Sequence, residues 1–364
     1  MDSSGSTLNT ASGGVDEVEE TLTSALEQEV AATQVETPGQ KIARFVLVSR
    51  SVAITIVGIL LFIFFSATTT TFLVADNLLS MVRDVSLVGI VAVGMTIIFV
   101  AGEIDLSIGS VYGFLMVIMG ILVIQAGIDP WLAMILVIGL GGLIGLMNGL
   151  IVTRLGIPSF IATLAMLTAF RSAALLVAGD HPLVSTGIGS FYDMTGGNIV
   201  GNIPWFVVWL AIITISGAFI LWRTTFGYHV YAVGGNEEAA VNSGINAKRV
   251  KVICFVLISA LCGLIGAMVF GYLHVTDPTT GTGFEFRVAG AVLIGGITLG
   301  GGRGTVYGSF IGAIIVGMIG RGLVLLGLDP HYSDLATGLL IMVTGALDLY
   351  VRRAASRSLR YLEG

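Results

Sequence analysis

Two carboxylates interrupt a long apolar stretch in the first third of the chain. Glu103 and Asp105 lie in the segment AGEIDLSIG, residues 101–109, between the apolar runs TIIFV and VYGFLMVIM. Charged groups inside such a stretch normally face protein or a water-filled path, where they could hold a proton or a cation or bind a polar solute. Alternatively, Asp105 and Ser107 cap the helix that follows by accepting its first amide hydrogens. This capping role would explain Asp105 and Ser107 but not Glu103.

A second polar stretch, residues 234–251 with the sequence GGNEEAAVNSGINAKRVK, separates two long apolar runs and must lie in water. Asn236 is a suitable N-cap, and acidic residues after it suit the positive end of a helix dipole, while Gly244 can end the helix. This pattern predicts a short helix that fits a groove on a partner protein, although it could also be a solvated connector. The candidate contact residues are Gly235, Asn236, Glu237, Glu238, Ala240 and Gly244.

A third polar stretch, residues 277–287 with the sequence DPTTGTGFEFR, is named the outer loop here because it follows the seventh apolar run. Its hydroxyls, carboxylate, guanidinium and aromatic rings suit a neutral polyol, which needs hydrogen-bonding pairs and ring faces for stacking. Phe284, Glu285 and Arg287 are the candidates, and mutual compensation of Glu285 and Arg287 is the alternative.

Signatures of catalysis are missing. The sequence has no GxxxxGK[ST] phosphate-binding loop, no HExxH and no GxSxG, and its four histidines are scattered without a ligand partner nearby. Cys254 and Cys262 lie eight residues apart on one predicted helix, too far for a disulfide. We therefore expect no catalytic residue, no metal site and no cofactor in this chain, and no nucleic-acid partner.

The composition predicts that these polar stretches are held by membrane helices. Hydrophobic residues make up 55% of the 364, charged residues 11%, and the mean hydropathy is +0.96. A spanning helix needs about 20 mostly apolar residues. The chain is therefore predicted to be an all-α polytopic helix bundle in contact with lipid, with about 10 transmembrane helices near 46–66, 84–101, 108–127, 130–153, 157–179, 203–222, 250–273, 286–299, 305–327 and 332–350.

Glycines recur four residues apart inside these helices, as at Gly141, Gly145 and Gly149. Small residues at that spacing form a flat stripe along which two helix backbones can approach closely. Asn148 lies within the stripe. Its side chain could make an interhelical hydrogen bond or contact a ligand.

Basic residues concentrate on alternate connections, as the positive-inside rule requires. If both termini are cytoplasmic, the cytoplasmic side receives thirteen of the 17 basic residues. They are Lys41, Arg44, Arg50, Arg154, Arg223, Lys248, Arg249, Lys251, Arg303, Arg352, Arg353, Arg357 and Arg360. The expected domains are a disordered acidic tail at 1–40, a membrane domain at 41–352 with the 224–250 loop in the cytoplasm, and a short basic cytoplasmic tail at 353–364.

The chain resembles the permease subunits of ribose-type ABC importers, which carry monosaccharides. The matching stretches are GMTIIFVAGEIDLSIGSVYG from Gly94, GIPSFIATLAML from Gly156, TTFGYHVYAVGGNEEAAVNSGIN from Thr224 and DPTTGTGFEFRVAGAVLIGGITLGGGRGTVYGSFIGA from Asp277. The similarity as a whole covers about residues 45–350, in the family's order. Arg287 is a departure, because the family usually has an acidic residue there.

This resemblance implies a permease subunit, not an enzyme, in a bacterial-type plasma membrane. It implies a cytoplasmic ABC ATPase subunit that uses the ATP, a periplasmic or extracellular sugar-binding protein and a second permease copy, as a homodimer. Residues 234–246 would couple to the ATPase. The translocation candidates are Glu103, Asp105, Ser107, Asn148, Phe284, Glu285 and Arg287. The alternatives are a self-sufficient ion-coupled carrier, or the same importer class acting on nucleosides or autoinducer-type furanoses.

Overall fold

Helices account for most of the backbone that the structure describes. The computed structural model describes residues 50–179, 182–199 and 201–360, with side chains from 52 to 346 in those ranges. Within them the only extended pairings are the isolated bridges Val184↔Val275 and Asn198↔Pro204. The all-α prediction is confirmed. The acidic tail predicted at 1–40, and residues 361–364 of the predicted basic tail, lie outside the described residues.

The helices follow the predicted order along the chain. The first half contains α1 (Arg50–Thr68), α2 (Ala75–Val100), α3 (Ile108–Gly120, continued by a π-helical turn Ile121–Gln125), α4 (Pro130–Arg154), α5 (Ser159–Ala178) and the short α6 (Ser190–Gly196). The second half contains α7 (Trp205–Arg223), α8 (Thr225–Gly235), α9 (Glu237–Asn242), α10 (Ala247–Leu273), α11 (Phe284–Ile294), α12 (Val306–Leu325) and α13 (His331–Arg360).

Seven of the described helices are long and apolar enough to cross a membrane: α2, α3 with its π-helical turn, α4, α5, α7, α10 and α12. Most of α1 is a shorter apolar helix, Val52–Thr68. The chain is therefore a multi-pass membrane protein. The total of ten crossings and the sides on which the termini lie remain predictions.

Two of the non-helical stretches between the helices are important for the candidate site. Residues 101–107, named the first interruption here, separate α2 from α3, and residues 295–305, the second interruption, separate α11 from α12. The predicted crossing at 286–299 is therefore only partly helical. Because α11 has 11 residues, it is about 16 Å long and cannot span a hydrocarbon core of about 30 Å by itself.

The helix α2 begins at Ala75, nine residues before the predicted start at 84, although this first part includes Asp76, Asn77 and Arg83. Its charges have partners from distant parts of the chain. Arg83 donates to Asn198 Oδ1 over 3.2 Å, and Asp84 pairs with Arg321 at 3.0 Å. Tertiary contacts thus stabilise a helical start that the apolar pattern does not predict.

The predicted glycine stripe packs α4 directly against α10. A Cβ atom on Gly145 would collide with the backbone carbonyl of Phe255, and one on Gly149 would lie 2.9 Å from the Val252 Cα. The contact is reciprocal, since a Cβ on Gly263 would meet the backbone of α4 at Val137. These two helices therefore touch backbone to backbone, as the spacing predicts.

Candidate functional site

The first interruption folds back on itself around Asp105. The Oδ1 atom of Asp105 accepts hydrogen bonds from the Ser107 amide (2.8 Å) and the Ser107 hydroxyl (2.6 Å). That hydroxyl oxygen in turn accepts from Asn148 Nδ2 of α4 at 3.0 Å. All three side chains are fully buried. Asn148 thus makes a hydrogen bond to the residue that precedes α3, and three of the predicted path residues form one cluster.

The predicted capping role is wrong in its simple form. Ser107 occupies the N-cap position of α3, but no side-chain cap bond reaches the helix, and the one backbone amide that donates to Asp105 is that of Ser107 itself. Asp105 Oδ2 and Asn148 Oδ1 are buried and have no hydrogen-bond partner among the described residues. Burial raises the pKa of the Asp105 carboxyl, and the hydrogen bonds from Ser107 and Asn148 offset that only in part.

The first interruption is held by hydrogen bonds to its surroundings. The Glu103 amide donates to the Ile98 carbonyl at 3.0 Å. The amides of residues 104 and 106 donate to hydroxyls on α5, Ser159 Oγ at 3.3 Å and Thr163 Oγ1 at 3.1 Å. Backbone groups that a helix would satisfy internally are thus bonded to side chains, which allows non-helical backbone inside a bundle.

Glu103 is paired by a lysine from another helix. Lys251 Nζ of α10 lies 2.7 Å from Glu103 Oε1 and 2.7 Å from Glu237 Oε2 of α9. The side chains of Lys251 and Glu103 are 13% and 11% exposed, whereas that of Glu237 is 51% exposed. One ammonium group therefore joins the first interruption to α9. No partner for Glu103 could be predicted from the sequence, because the pair depends on the tertiary fold.

The polar segment at 234–251 forms the predicted capped helix. Asn236 Oδ1 accepts from the Ala239 amide at 2.9 Å, and the residues of the first turn, Glu237 and Glu238, are exposed. The helix α9 ends at Asn242, and Gly244 has a φ of +87° in the turn after it. Gly235 and Gly244 are exposed as well.

Ala240 is buried, unlike the other predicted docking residues, which are exposed. It is 4% exposed and faces the bundle, so in this conformation it anchors α9 and is not accessible to a partner. Its neighbour Val241 is 52% exposed. The exposed face of α9 is therefore built from its acidic first turn and Val241.

Glycines bring α8, just before α9, against both interruptions. A Cβ on Gly234 would collide with the Val100 carbonyl and lie 2.8 Å from the Gly302 amide nitrogen. A Cβ on Gly301 would lie 2.8 Å from the Gly234 carbonyl and 2.9 Å from the Gly102 Cα. We call this three-way backbone contact of Val100, Gly102, Gly234, Gly301 and Gly302 the glycine junction.

The outer loop reaches into the bundle. Arg171 of α5 donates to the Pro278 carbonyl at 3.2 Å and to the Thr280 carbonyl at 3.1 Å. A Cβ on Gly109 would collide with the Gly281 carbonyl, and one on Gly113 would collide with the Thr280 carbonyl. The loop is thus packed on the first turns of α3, immediately after the first interruption.

The three candidates of the outer loop lie at the start of α11. Phe284 is buried, with its ring 5.4 Å from that of Tyr112, and the Arg287 guanidinium lies 5.8 Å above the Phe284 ring. Glu285 is 4% exposed, and its buried Oε2 atom, which lies near Gly109, has no hydrogen-bond partner among the described residues. The arrangement is an aromatic pair beside a carboxylate of which one buried oxygen has no hydrogen-bond partner among the described residues.

The predicted path residues therefore form two groups that meet along residues 105–112. The described residues contain no cluster of His, Cys, Asp and Glu that could hold a metal ion. Sequence reasoning did not identify Lys251, Arg171 or Tyr112 as site residues. A lysine near the start of a long apolar helix was the available signal for Lys251, since such a charge normally needs a partner.

Comparison with known proteins gives a match over most of the chain. Residues 77–345 match the family model described as "Branched-chain amino acid transport system / permease component". No solved structure matches the chain significantly.

Curated relatives include the ribose import permease of Bacillus subtilis, 36% identical over 294 residues, which cover 79% of this chain and 89% of that protein. The fructose import permease of Rhizobium meliloti is 34% identical, covering 80% of this chain and 81% of the relative. An L-arabinose ABC transporter permease of Azospirillum brasilense is 34% identical, covering 86% of this chain and 91% of the relative.

Proposed function

We propose a function from the premise that this chain belongs to the family of branched-chain amino acid transport system permease components, among relatives that are sugar import permeases. The resemblance stated from the sequence is thereby confirmed. The chain is the membrane-spanning subunit of an importer and not an enzyme in itself. In this proposal it moves a monosaccharide, ribose, xylose or a similar sugar, across a bacterial plasma membrane.

The glycine junction carries the proposal. In an ATP-driven importer, a separate ATPase must move the permease through a docking element, and that element must contact the parts that change. Here α8 lies in direct backbone contact with both interruptions and leads straight into α9, whose first turn is exposed. Residues 234–246 are therefore proposed to face the cytoplasm and receive the ATPase.

The substrate class follows from the relatives and from the chemistry of the buried groups. The names of the relatives specify ribose, fructose and L-arabinose. A neutral sugar needs paired donors and acceptors and a ring face to pack on. Asp105, Asn148 and Glu285 supply unpaired acceptor oxygens, and Phe284 with Tyr112 supplies rings.

In the proposed mechanism these residues bind and orient a sugar and make or break no covalent bond. The ATPase closes, α9 moves, and the two interruptions shift between an outward and an inward opening. A sugar-binding protein delivers the substrate to the outer loop, and a second copy of this chain completes the membrane part. ATP is used by the partner and no cofactor is bound here.

The test is uptake by proteoliposomes that contain this chain, its ATPase and its binding protein. We expect ATP-dependent uptake of one radiolabelled monosaccharide, competed by its isomers more strongly than by leucine. Competition by leucine alone would support an amino acid importer, as the family description names. Uptake by the chain alone, driven by a proton or sodium gradient, would replace the proposal with an ion-coupled carrier.

A further inference from the structure

We propose that Lys251 is a positioning residue that transmits the movement of α9 to the first interruption. This inference rests on the proposed coupling of residues 234–246 to an ATPase. It assigns to one side chain the task of making the interruption follow α9 in both directions.

The bridge joins three elements that are distant in sequence. Lys251 on α10 contacts Glu103 of the first interruption and Glu237 of α9, each at 2.7 Å. An ammonium group has three donors and no acceptor, so one lysine can hold two carboxylates at once. The ammonium group of Lys251 therefore bridges the carboxylates of Glu103 and Glu237.

The two halves of the bridge differ in exposure. The side chains of Lys251 and Glu103 are mostly shielded from solvent, at 13% and 11% exposed, and separating them would leave a largely buried charge without a partner, which is unfavourable. Glu237 is 51% exposed, so water can replace that contact at small cost. The inner pair therefore holds throughout the cycle, and the outer pair is the one that opens and closes with α9.

Glu103 is in turn connected to the buried cluster. The amides of residues 104 and 106 are fixed to α5 by Ser159 and Thr163, and Asp105 between them holds Ser107. A displacement of the Glu103 side chain therefore acts on a segment that has few ways to relax. It reaches the Asp105 cluster over two residues.

The glycine junction alone cannot make the first interruption follow α9 in both directions. Within the junction, Gly234 of α8 meets its neighbours through van der Waals contacts, which resist being pushed together but resist separation only weakly. An ion bridge between carboxylates and an ammonium group resists separation. The junction can thus transmit a push from α8 and α9, and the bridge through Lys251 can transmit a pull.

The experiment uses the complete importer in proteoliposomes and measures sugar molecules transported per ATP hydrolysed. Lys251→Met is compared with Lys248→Met, which removes the same charge from an exposed position one turn earlier on α10. We expect the ratio for Lys251→Met to fall about tenfold below that for Lys248→Met, as coupling energies within one salt-bridge network allow. Lys251→Arg should retain more of the ratio than Lys251→Met.

Two further variants separate coupling from folding. Glu237→Gln weakens only the exposed half of the bridge and leaves the buried pair intact, so we expect normal membrane abundance with a lowered ratio. The charge-reversed triple variant Glu103→Lys, Lys251→Glu, Glu237→Lys should recover part of the activity that Lys251→Glu alone loses. A triple variant no better than Lys251→Glu would contradict the bridge.

The outcomes also distinguish this inference from the proposed function. If the native chain does not co-purify with its ATPase, both are wrong. If the ATPase co-purifies and the ratio for Lys251→Met stays within about twofold of that for Lys248→Met, the residues act independently and only the role of Lys251 is wrong.

Discussion

The amide of Gly302 donates a hydrogen bond to the carbonyl of Val100 across 2.9 Å. Val100 is the last residue of α2 and Gly302 lies in the second interruption, so the two breaks in the helical pattern meet at one point. The α8 residue Gly234 lies against the same point. This convergence places the two interruptions against one end of α8.

The glycine junction predicts unequal effects of two neighbouring substitutions. Gly234→Ala would place a methyl group onto the Val100 carbonyl and the Gly302 amide, whereas Gly235→Ala would meet no atom within 4 Å. We expect Gly234→Ala to lower the free energy of unfolding by about 1–3 kcal/mol, the usual range for overpacking. Gly235→Ala should stay within about 0.5 kcal/mol of the native protein. Thermal unfolding in detergent measures both, and equal stabilities would contradict the junction.

The glycine stripe between α4 and α10 allows a second matched pair of substitutions to be compared. Gly145→Ala forces α4 away from the Phe255 backbone, while Gly139→Ala on the same helix fills open space. The first should destabilise the protein by about 1–3 kcal/mol. The second should be neutral or slightly stabilising, because alanine is the better helix former by about 1 kcal/mol. The comparison requires only the purified chain and its midpoint of thermal unfolding.

The cap of α9 predicts a local effect. Asn236→Ala removes the acceptor for the Ala239 amide and should cost about 1 kcal/mol in a helix of six residues. Amide hydrogen exchange should then speed up about fivefold in residues 237–242, while Asn236→Asp keeps the acceptor and the slow exchange. Asn242→Ala, an exposed position at the other end of α9, serves as the control. Unchanged exchange in Asn236→Ala would show that the cap does not hold the helix.

The predicted orientation can be tested by labelling cysteines in intact cells. The native Cys254 and Cys262 are fully buried, so background labelling should be low. A membrane-impermeant maleimide added outside should label Asp329→Cys, between α12 and α13, and leave Glu238→Cys unlabelled until the cells are opened. Labelling of Glu238→Cys from outside would reverse the orientation and remove the basis for ATPase docking on α9.

Apolar patterning predicts most of the fold, because each spanning helix satisfies its own backbone groups and needs a run of apolar residues. Apolar patterning does not predict the helix boundary where charged side chains pair with distant residues. At the start of α2, Arg83 binds Asn198 and Asp84 binds Arg321, and the helix is longer there than predicted. The same limit applies to the site. Local chemistry identified Asp105 and Asn148, but the pairing of Lys251 with Glu103 exists only in three dimensions.

The backbone contact between α4 and α10 limits how this protein can change shape. Side chains usually let packed helices slide or tilt, because they change rotamer and refill the space that opens. Glycines cannot do so, and parting these two helices would leave a dry gap along the whole stripe with nothing to fill it. We therefore expect α4 and α10 to move as one rigid unit, so that changes of shape are left to other parts of the bundle.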